Sequence, residues 1–230
     1  MHHLQALKGT LVVSCQPVTG SAMDQLPVIV AMAKAAVDGG AKALRIEGLI
    51  NVAAVCKAVD VPIIAIVKTD HGAGQAIITA TVKEAQALIA AGAKLVAVDA
   101  AQRQPYARLA SIISCLKEAS VIIMADCATY EDGVRAMSLG ANIIGTTLSG
   151  YTPDTQHLGP EPDYDLLSRY VALCKGTDVL VMAEGRFNSP QQAQKAIQLG
   201  ADCVTVGSAI TRVEHIVGWF NAAISSTKAN

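Results

Sequence analysis

The chain has 230 residues, of which 52% are hydrophobic and 16% are charged, and its net charge is −1. This is the composition of a folded globular protein, and the length suffices for one large core or two small ones. Because a near-neutral chain has no general attraction for polyanions or for an anionic bilayer, we expect neither nucleic acid nor a membrane among its partners.

The first strand predicted along the chain is LVVSC at 11–15. A Gly-Ala step followed by a short apolar run then recurs four times, in GGAKALRI (from 39), AGAKLVAV (from 91), LGANIIGT (from 139) and LGADCVTV (from 199). Glycine is common just after a helix ends, so each repeat predicts a helix, a glycine stop and a strand. Three more apolar runs fall between the repeats: VDVPIIAIVK (59–68), ASVIIMAD (119–126) and TDVLVMAE (177–184).

Helices are predicted between these strands. Thr81 and Glu84 have the spacing of a capping box, and so do Ser189 and Gln192, with Pro190 at the first helical position. Eight strands alternating with helices predict a (β/α)8 TIM barrel, with residues 1–230 as a single domain. A doubly wound open sheet is the main competitor, but no G-x-G-x-x-G follows the first strand to favour it.

Polar residues follow almost every predicted strand, where a barrel of this kind carries its chemistry. They are Gln16, Arg45, Glu47, Lys68, Asp70, Asp99, Asp126, Thr146, Thr147, Glu184, Arg186, Gly207 and Ser208. We therefore expect a polar active-site mouth at this end of the barrel. The competing interpretation is scattered surface charge, with Lys68 exposed at a loop and Glu184 in a surface ion pair with Arg186.

Lys68 and Glu184 are the candidate acid–base pair. Residues 64, 66 and 68 share one face of a strand, so Lys68 points inward if Ile64 and Ile66 do. Partial desolvation would lower the pKa of this lysine, as a general base requires. Strands three and seven lie opposite each other in a ring of eight, which would place Glu184 across the mouth from Lys68.

Other strand ends leave alternatives open. Asp126 could bind substrate or be structural, and Asp99 could orient Lys68 or cap a loop. Arg45 could pair locally with Glu47 or lie beside an anionic ligand, and the second interpretation is preferred.

A phosphate site is predicted in the last two strand–helix loops, where barrels often bind phosphate. Gly185, Gly207 and Ser208 would offer backbone N–H groups, and Arg186 and Arg212 would supply positive charge. The predicted architecture is therefore a barrel of the phosphate-binding type.

No metal site is expected, because no strand end carries a histidine beside a second one, and His71 is interpreted as solvated. Cys15 and Cys127 lack a histidine partner at a strand end, which argues against a cysteine nucleophile. The six cysteines are scattered and no apolar run of roughly 18 residues occurs. The first ten residues lack the basic and apolar regions of a signal peptide, so secretion is not expected. A cytoplasmic location is expected.

Trp219 and Phe220 in EHIVGWFNAAI have the spacing of the buried face of a final helix. The same face could pack against a second subunit, and a homodimer is expected.

Seven segments resemble the N-acylmannosamine-6-phosphate 2-epimerase family: VVSCQ (12–16), LRIEG (44–48), IVKTD (66–70), MADC (124–127), GTTLSGYT (145–152), AEGR (183–186) and VGSAITR (206–212). The resemblance runs from about residue 7 to about residue 225. It implies interconversion of N-acylglucosamine 6-phosphate and N-acylmannosamine 6-phosphate by proton transfer at C2, in sialic acid catabolism. It also implies that the partner is this amino sugar phosphate, with no redox cofactor and no metal.

The resemblance implies a role for each matching residue. Lys68 corresponds to the catalytic lysine of the family and Glu184 to its catalytic carboxylate. The sugar-binding positions are Gln16, Arg45 and Asp126, and the phosphate-binding positions are Gly185, Arg186, Gly207, Ser208 and Arg212. Two departures concern substrate positioning and acyl preference: Thr69 stands where the family often has arginine, and DAAQRQPY offers only Arg103 where it often has two.

Three other functions would each require a different sequence feature. A metal-dependent epimerase of the ribulose-phosphate type would need histidine ligands at the strand ends. A decarboxylase of the phosphate-barrel group would need a D-x-K-x-x-D motif around Lys68, which the sequence lacks. A non-catalytic phosphosugar-binding barrel would be expected to have lost Lys68 or Glu184.

Overall fold

Eight parallel strands close into a barrel in the computed structural model, which describes residues 2–70 and 76–226. The strands in chain order are β1 Thr10–Cys15, β2 Ala43–Glu47, β3 Ile63–Ile66, β4 Lys68–Asp70, β5 Ala76–Ile78, β6 Leu95–Asp99, β7 Ile122–Asp126, β8 Ile143–Gly145, β9 Leu180–Glu184 and β10 Cys203–Val206. β4 and β5 form a separate antiparallel hairpin, and the barrel order is β1-β10-β9-β8-β7-β6-β3-β2.

The helices surround this barrel. They are α1 His2–Gln5, α2 Leu26–Asp38, α3 Leu49–Ala58, α4 Val82–Ala90, α5 Tyr106–Glu118, α6 Tyr130–Leu139, α7 Tyr164–Cys174, α8 Pro190–Gln198, α9 Ser208–Thr211 and α10 Val213–Ser226. The predicted (β/α)8 barrel is thereby confirmed. Among the described helices, none is both long and apolar enough to cross a bilayer.

The Gly-Ala repeat corresponds to one recurring helix ending. Its glycines, Gly40, Gly92, Gly140 and Gly200, have φ angles of 102°, 99°, 98° and 101°. At each repeat the N–H of the following alanine donates to the carbonyl five residues earlier, as from Ala41 to Ala36 at 3.0 Å. A side chain disfavours this positive φ, which explains why glycine recurs where each helix turns into a strand.

Capping boxes begin three of the helices. Those predicted at Thr81 and Ser189 are present, with Glu84 and Gln192 completing them. A third, with Asp132 completing the box at Thr129, was not predicted from the sequence. Each box satisfies backbone N–H groups that the first helical turn leaves without a partner.

Side-chain alternation divides the core into two layers. Alternate residues of the barrel strands point inward, and Val12, Ile64, Ile66, Met124 and Met182 belong to the interior cluster. Their strand neighbours pack outward against the helices. In β2, Leu44 and Ile46 belong to the outer cluster, so the alternation directs the intervening Arg45 into the interior, where it is 1% exposed.

The final helix differs from the prediction. No residue of α10 is buried, and Trp219 and Phe220 are 40% and 68% exposed. The expectation that they form a face buried within this chain was wrong. α10 follows the last strand of an already closed barrel and packs against the short α9 rather than covering the sheet.

Candidate active site

A cavity of about 620 Å³ opens at the carboxyl ends of the barrel strands. Among its lining residues are nine of the ten to which the family resemblance assigns a role: Gln16, Arg45, Lys68, Glu184, Gly185, Arg186, Gly207, Ser208 and Arg212. They lie just after β1, in β2, at the start of β4, at and just after the end of β9, and after β10. Parallel strands bring these sequence-distant residues together because all their carboxyl ends meet at one rim.

Arg45 lies at the floor of this cavity. Its Nη1 is 3.0 Å from Oδ1 of Asp126 and its Nη2 is 2.6 Å from Oδ2, while Nη1 also donates to Oε2 of Glu184 at 3.1 Å. Burial by itself would lower the pKa of Arg45, but the negative charges of Asp126 and Glu184 outweigh it and raise that pKa. Arg45 is therefore held as a fixed positive charge between two carboxyl groups from across the barrel.

Asp126 lies beneath the cavity and does not line it. It is fully buried, and both of its carboxylate oxygens bind Arg45. This geometry favours the structural alternative left open by the sequence. The contacts themselves add that Asp126 orients Arg45.

Glu184 ends β9 and is clamped by the two threonines that follow β8. Thr147 Oγ1 donates to Glu184 Oε2 at 3.2 Å, while Thr146 Oγ1 accepts from the Glu184 backbone N–H and donates to its carbonyl. Burial raises the pKa of Glu184 to about 7, with Arg45 opposing the rise and Asp126 adding to it. A carboxyl group with this pKa can serve as acid or base near neutral pH.

Lys68 is the first residue of the hairpin strand β4, which continues the chain just after β3 ends at Ile66. As predicted, Ile64 and Ile66 are interior residues and Lys68 lines the cavity above them. Its Nζ donates to Gln16 Oε1 at 2.6 Å.

Two effects lower the pKa of Lys68: first desolvation around the amine, then the positive charges of Arg45 and Arg212. The carboxylates of Glu47 and Glu184 oppose this shift. Lys68 is exposed to solvent at the open mouth of the cavity. This solvent reduces the extent to which its pKa is lowered. In the barrel order β3 and β9 are four strands apart, so Lys68 and Glu184 belong to opposite sides of the mouth.

The predicted phosphate end consists of the loops after β9 and β10. Gly207 precedes the short helix α9, which begins at Ser208. Arg212, at the end of α9, donates from Nε to the Gln16 carbonyl at 2.9 Å. Gly185 has a φ of 103° and lies close to the backbone carbonyls of Thr146 and Thr147. Glycines at these turns let a ligand approach the backbone closely.

Arg186 has a different environment from the one predicted. Its Nε donates to the Glu161 carbonyl at 2.7 Å and its Nη1 to the Ser149 carbonyl at 2.5 Å, and its guanidinium lies 5.7 Å from the ring centre of Tyr151. These contacts brace the long loop after β8 at the rim of the cavity. Glu184 binds Arg45 instead, so the pair at 184 and 186 is not a local ion pair.

Asp99 takes the loop-capping role of its two alternatives. It is fully buried; its Oδ1 accepts from the Ala101 N–H at 3.0 Å, and its Oδ2 accepts from Arg103 Nη2 at 2.6 Å. Arg103, the one arginine in the shortened motif after β6, thereby reaches the cavity wall.

The sequence did not indicate that Thr147 contacts Glu184 or that Ser14 lines the cavity. Thr147 was noted only as a polar strand end, and Ser14 was not singled out, although it lies two residues before Gln16 and so shares its strand face. Among the described residues, no group of three or more His, Cys, Asp or Glu side chains could hold a metal ion. His71 lies outside the described residues.

Comparison with known proteins links this site to one family. Residues 29–226 match the sequence model of the NanE family, described as "Putative N-acetylmannosamine-6-phosphate epimerase". Two relatives carry the name "Putative N-acetylmannosamine-6-phosphate 2-epimerase". The one from Photobacterium profundum is 47% identical, over 96% of this chain and 92% of its own length. The one from Aliivibrio fischeri is 45% identical, over 99% and 94%.

A solved structure agrees with these matches. The N-acetylmannosamine-6-phosphate 2-epimerase from Clostridium perfringens superposes with a TM-score of 0.90 at 33% identity, covering 97% of this chain and 96% of that one. Fold, sequence model and relatives thus confirm the resemblance found in the motifs. The chain belongs to the N-acetylmannosamine-6-phosphate 2-epimerase family.

Proposed function

We propose that the chain interconverts N-acyl-D-glucosamine 6-phosphate and N-acyl-D-mannosamine 6-phosphate. One observation carries the proposal: the cavity holds an amine whose pKa is lowered, Lys68, and a carboxyl group whose pKa is raised, Glu184, on opposite sides. Both shifts bring the pKa of the group closer to neutral pH, where each group can exchange a proton with a substrate carbon. Membership of the epimerase family supports the same reaction.

The chemistry acts on the open-chain sugar, in which the aldehyde at C1 makes the C2 proton acidic. Neutral Lys68 removes this proton, and the electron pair of the C–H bond moves into the C1 carbonyl to form an enolate. A proton delivered to the other face of C2, with Glu184 as the acid, gives the epimer. The reverse reaction uses the same groups in exchanged roles, and proton exchange with solvent resets them.

The remaining predicted residues bind the substrate in this proposal. Gln16 and Arg45 lie at the cavity where the sugar would sit, and Asp126 acts through Arg45. The backbone at Gly185, Gly207 and Ser208, with Arg212, would receive the phosphate, because N–H groups and a guanidinium suit an oxyanion. Arg186 would contribute by holding the adjoining loop and by adding positive charge at the rim.

Lys68→Ala tests the proposal. With N-acetylmannosamine 6-phosphate in deuterated water, wild-type protein should form the gluco epimer and place deuterium at C2, as followed by proton NMR. We expect no measurable turnover from Lys68→Ala and normal turnover from a matched control, Lys57→Ala, whose side chain is exposed on α3. Near-native epimerisation by Lys68→Ala would refute the assignment. Binding without turnover by wild-type protein would instead indicate a non-catalytic phosphosugar-binding barrel.

A chelator provides the test of the metal-dependent alternative. We propose that the reaction needs no metal, so activity should survive exhaustive dialysis against EDTA. Loss of activity that zinc or manganese restores would favour an epimerase of the ribulose-phosphate type.

We also propose that the chain acts as a single-domain homodimer in the cytoplasm. Val213, Val217 and Phe220 lie at helical spacing on α10 and are 48%, 51% and 68% exposed. An apolar stripe of this kind on an otherwise closed barrel supports association with the same surface of a second copy.

A further inference from the structure

Ser14, Gln16 and Lys68 form a hydrogen-bonded series along one side of the cavity. Lys68 Nζ donates to Gln16 Oε1 at 2.6 Å, and Gln16 Nε2 donates to Ser14 Oγ at 2.7 Å. Ser14 and Gln16 are 7% and 8% exposed, so this amide is almost completely enclosed. The series connects the candidate base to the end of β1. The sequence did not indicate that Ser14 or Gln16 would act on Lys68.

The chemistry of the three groups determines which way the amide points. A lysine ammonium only donates, so the neighbouring amide atom must be the oxygen. The amide nitrogen then needs an acceptor on its other side, and the Ser14 hydroxyl oxygen supplies it. Rotating the amide by half a turn would place its NH₂ group against the ammonium, with two donors facing each other.

The phosphate-end loop holds the backbone beneath this amide. Thr211 Oγ1 donates to the Ser14 carbonyl at 2.8 Å, and Arg212 Nε donates to the Gln16 carbonyl at 2.9 Å. Gly207 approaches Ser14 so closely that a Cβ there would lie 3.3 Å from the Ser14 Cβ. The end of β1 is therefore fixed by the loop that is proposed to bind phosphate.

We propose that Gln16 is a positioning residue for Lys68, and that Ser14 acts on Lys68 only by fixing the orientation of the Gln16 amide. The inference rests on the proposed function, in which Lys68 is the base. A fixed acceptor for one N–H bond restricts rotation of the amine, so that its lone pair, once the proton is lost, points into the cavity. This restriction matters because a misplacement of about 1 Å can lower a rate by about 100-fold.

Charged groups surround Lys68 on its other sides. Arg45 and Glu47 come from β2, Glu184 from β9 and Arg212 from the loop after β10. Among the residues that the structure describes, Gln16 is thus a neutral neighbour beside four charged ones. A change of charge at residue 16 should alter the titration of Lys68 directly.

Chemical labelling of Lys68 without substrate provides the first test. The rate of competitive acetylation of Lys68, followed by mass spectrometry across a pH range, gives the pKa of the amine in the free protein. Gln16→Glu should raise this pKa because it adds a negative charge, and Gln16→Met should lower it because the acceptor is lost. If neither variant shifts the titration, Gln16 does not act on Lys68 and the inference fails, whatever the substrate is.

A double-mutant cycle tests the role of Ser14. Ser14→Ala and Gln16→Met should each reduce kcat by about 10- to 100-fold. KM should change less in Ser14→Ala, which keeps the Gln16 side chain that is proposed to contact the sugar. The acid limb of the kcat/KM profile of Gln16→Met should move to lower pH. The double variant should be no slower than Gln16→Met alone, because Ser14 acts through Gln16. Effects that multiply would show that Ser14 contacts the substrate itself and would overturn the inference.

The two tests separate this inference from the proposed function. If the wild-type protein shows no turnover, the proposed function is contradicted, while the acetylation experiment still decides the role of Gln16. Unchanged thermal unfolding temperatures of the variants would show that the kinetic effects do not come from loss of the fold.

Discussion

Arg45 Nη1 lies 3.1 Å from Glu184 Oε2. A guanidinium from β2 thus contacts the proposed catalytic carboxyl group at the end of β9, 139 residues further along the chain. The arginine side chain is 2% exposed and that of Glu184 is 12% exposed. Within residues 2–70 and 76–226, the side-chain hydrogen bonds of Glu184 go to Oε2, which leaves Oε1 for the proposed transfer of a proton to the substrate. Arg45 thereby orients this carboxyl group and limits the rise of its pKa.

Asp126→Asn should destabilise the protein, because it removes the main countercharge of a buried arginine. Breaking a buried ion pair in this way costs about 3 kcal/mol or more of unfolding free energy. Urea unfolding monitored by circular dichroism measures the change, with the exposed Asp154→Asn as the control. Equal midpoints for the two variants would show that Asp126 does not stabilise Arg45.

Loss of the Glu184 proton should make the folded state less stable as pH rises. Its pKa increases from 4.5 to about 7 on folding, so the folded state binds the proton more tightly. The resulting stabilisation is complete below about 4.5 and is lost as pH rises through about 7, a change of about 3 kcal/mol. Unfolding free energies of wild type and Glu184→Gln, measured from pH 4 to pH 8, should diverge in this sense. Parallel curves would contradict the raised pKa.

Thr147→Val should weaken catalysis without removing a group that exchanges protons. The valine has nearly the same shape but no hydroxyl to donate to Glu184 Oε2, so the pKa of Glu184 should rise further. We expect kcat to fall about tenfold, as for loss of one hydrogen bond to a charged group. The limb of the kcat profile that belongs to Glu184 should move to higher pH. Thr147→Ser keeps the hydroxyl and should restore both the rate and the profile.

Gly133→Ala should destabilise α6. A Cβ at this position would lie 2.5 Å from Cε1 of Tyr170, which is fully buried and donates its hydroxyl to the Thr129 carbonyl. The overpacking should cost about 1–3 kcal/mol despite the better helix propensity of alanine. Gly218→Ala in α10 is the matched control: its Cβ meets no atom of the described residues within 4 Å, and it should stabilise that helix by about 0.5–1 kcal/mol. Thermal unfolding distinguishes the two, and a gain in stability at both glycines would contradict the predicted clash.

Phe220→Asp should convert the proposed dimer into monomers, because it places a charge in the apolar stripe of α10. Sedimentation velocity over a range of concentrations measures the change, with the exposed Ser225→Asp as the control. A wild-type protein that sediments as a monomer at every concentration would refute the homodimer.

Much of the fold was predictable because its signals are local. The Gly-Ala repeat, the capping boxes at Thr81 and Ser189 and the apolar runs each depend on residues a few positions apart. Two-residue alternation likewise predicted that Lys68 would follow Ile64 and Ile66 toward the mouth. The third capping box, at Thr129, has Asp132 in place of the usual Glu or Gln, which explains why it was missed.

The sequence by itself therefore determined the barrel, its polar mouth and the residues that gather there. The spacing of apolar residues and the glycines and capping residues at the ends of helices are local features of the chain. Only the tertiary structure decided which of these residues bind one another. Arg45 meets Asp126 and Glu184 at separations of 81 and 139 residues, and Lys68 meets Gln16 across 52. Barrel closure brings such residues together in three dimensions, so no local pattern could show that Asp126 lies beneath the cavity, that Arg186 braces a loop, or that α10 is exposed.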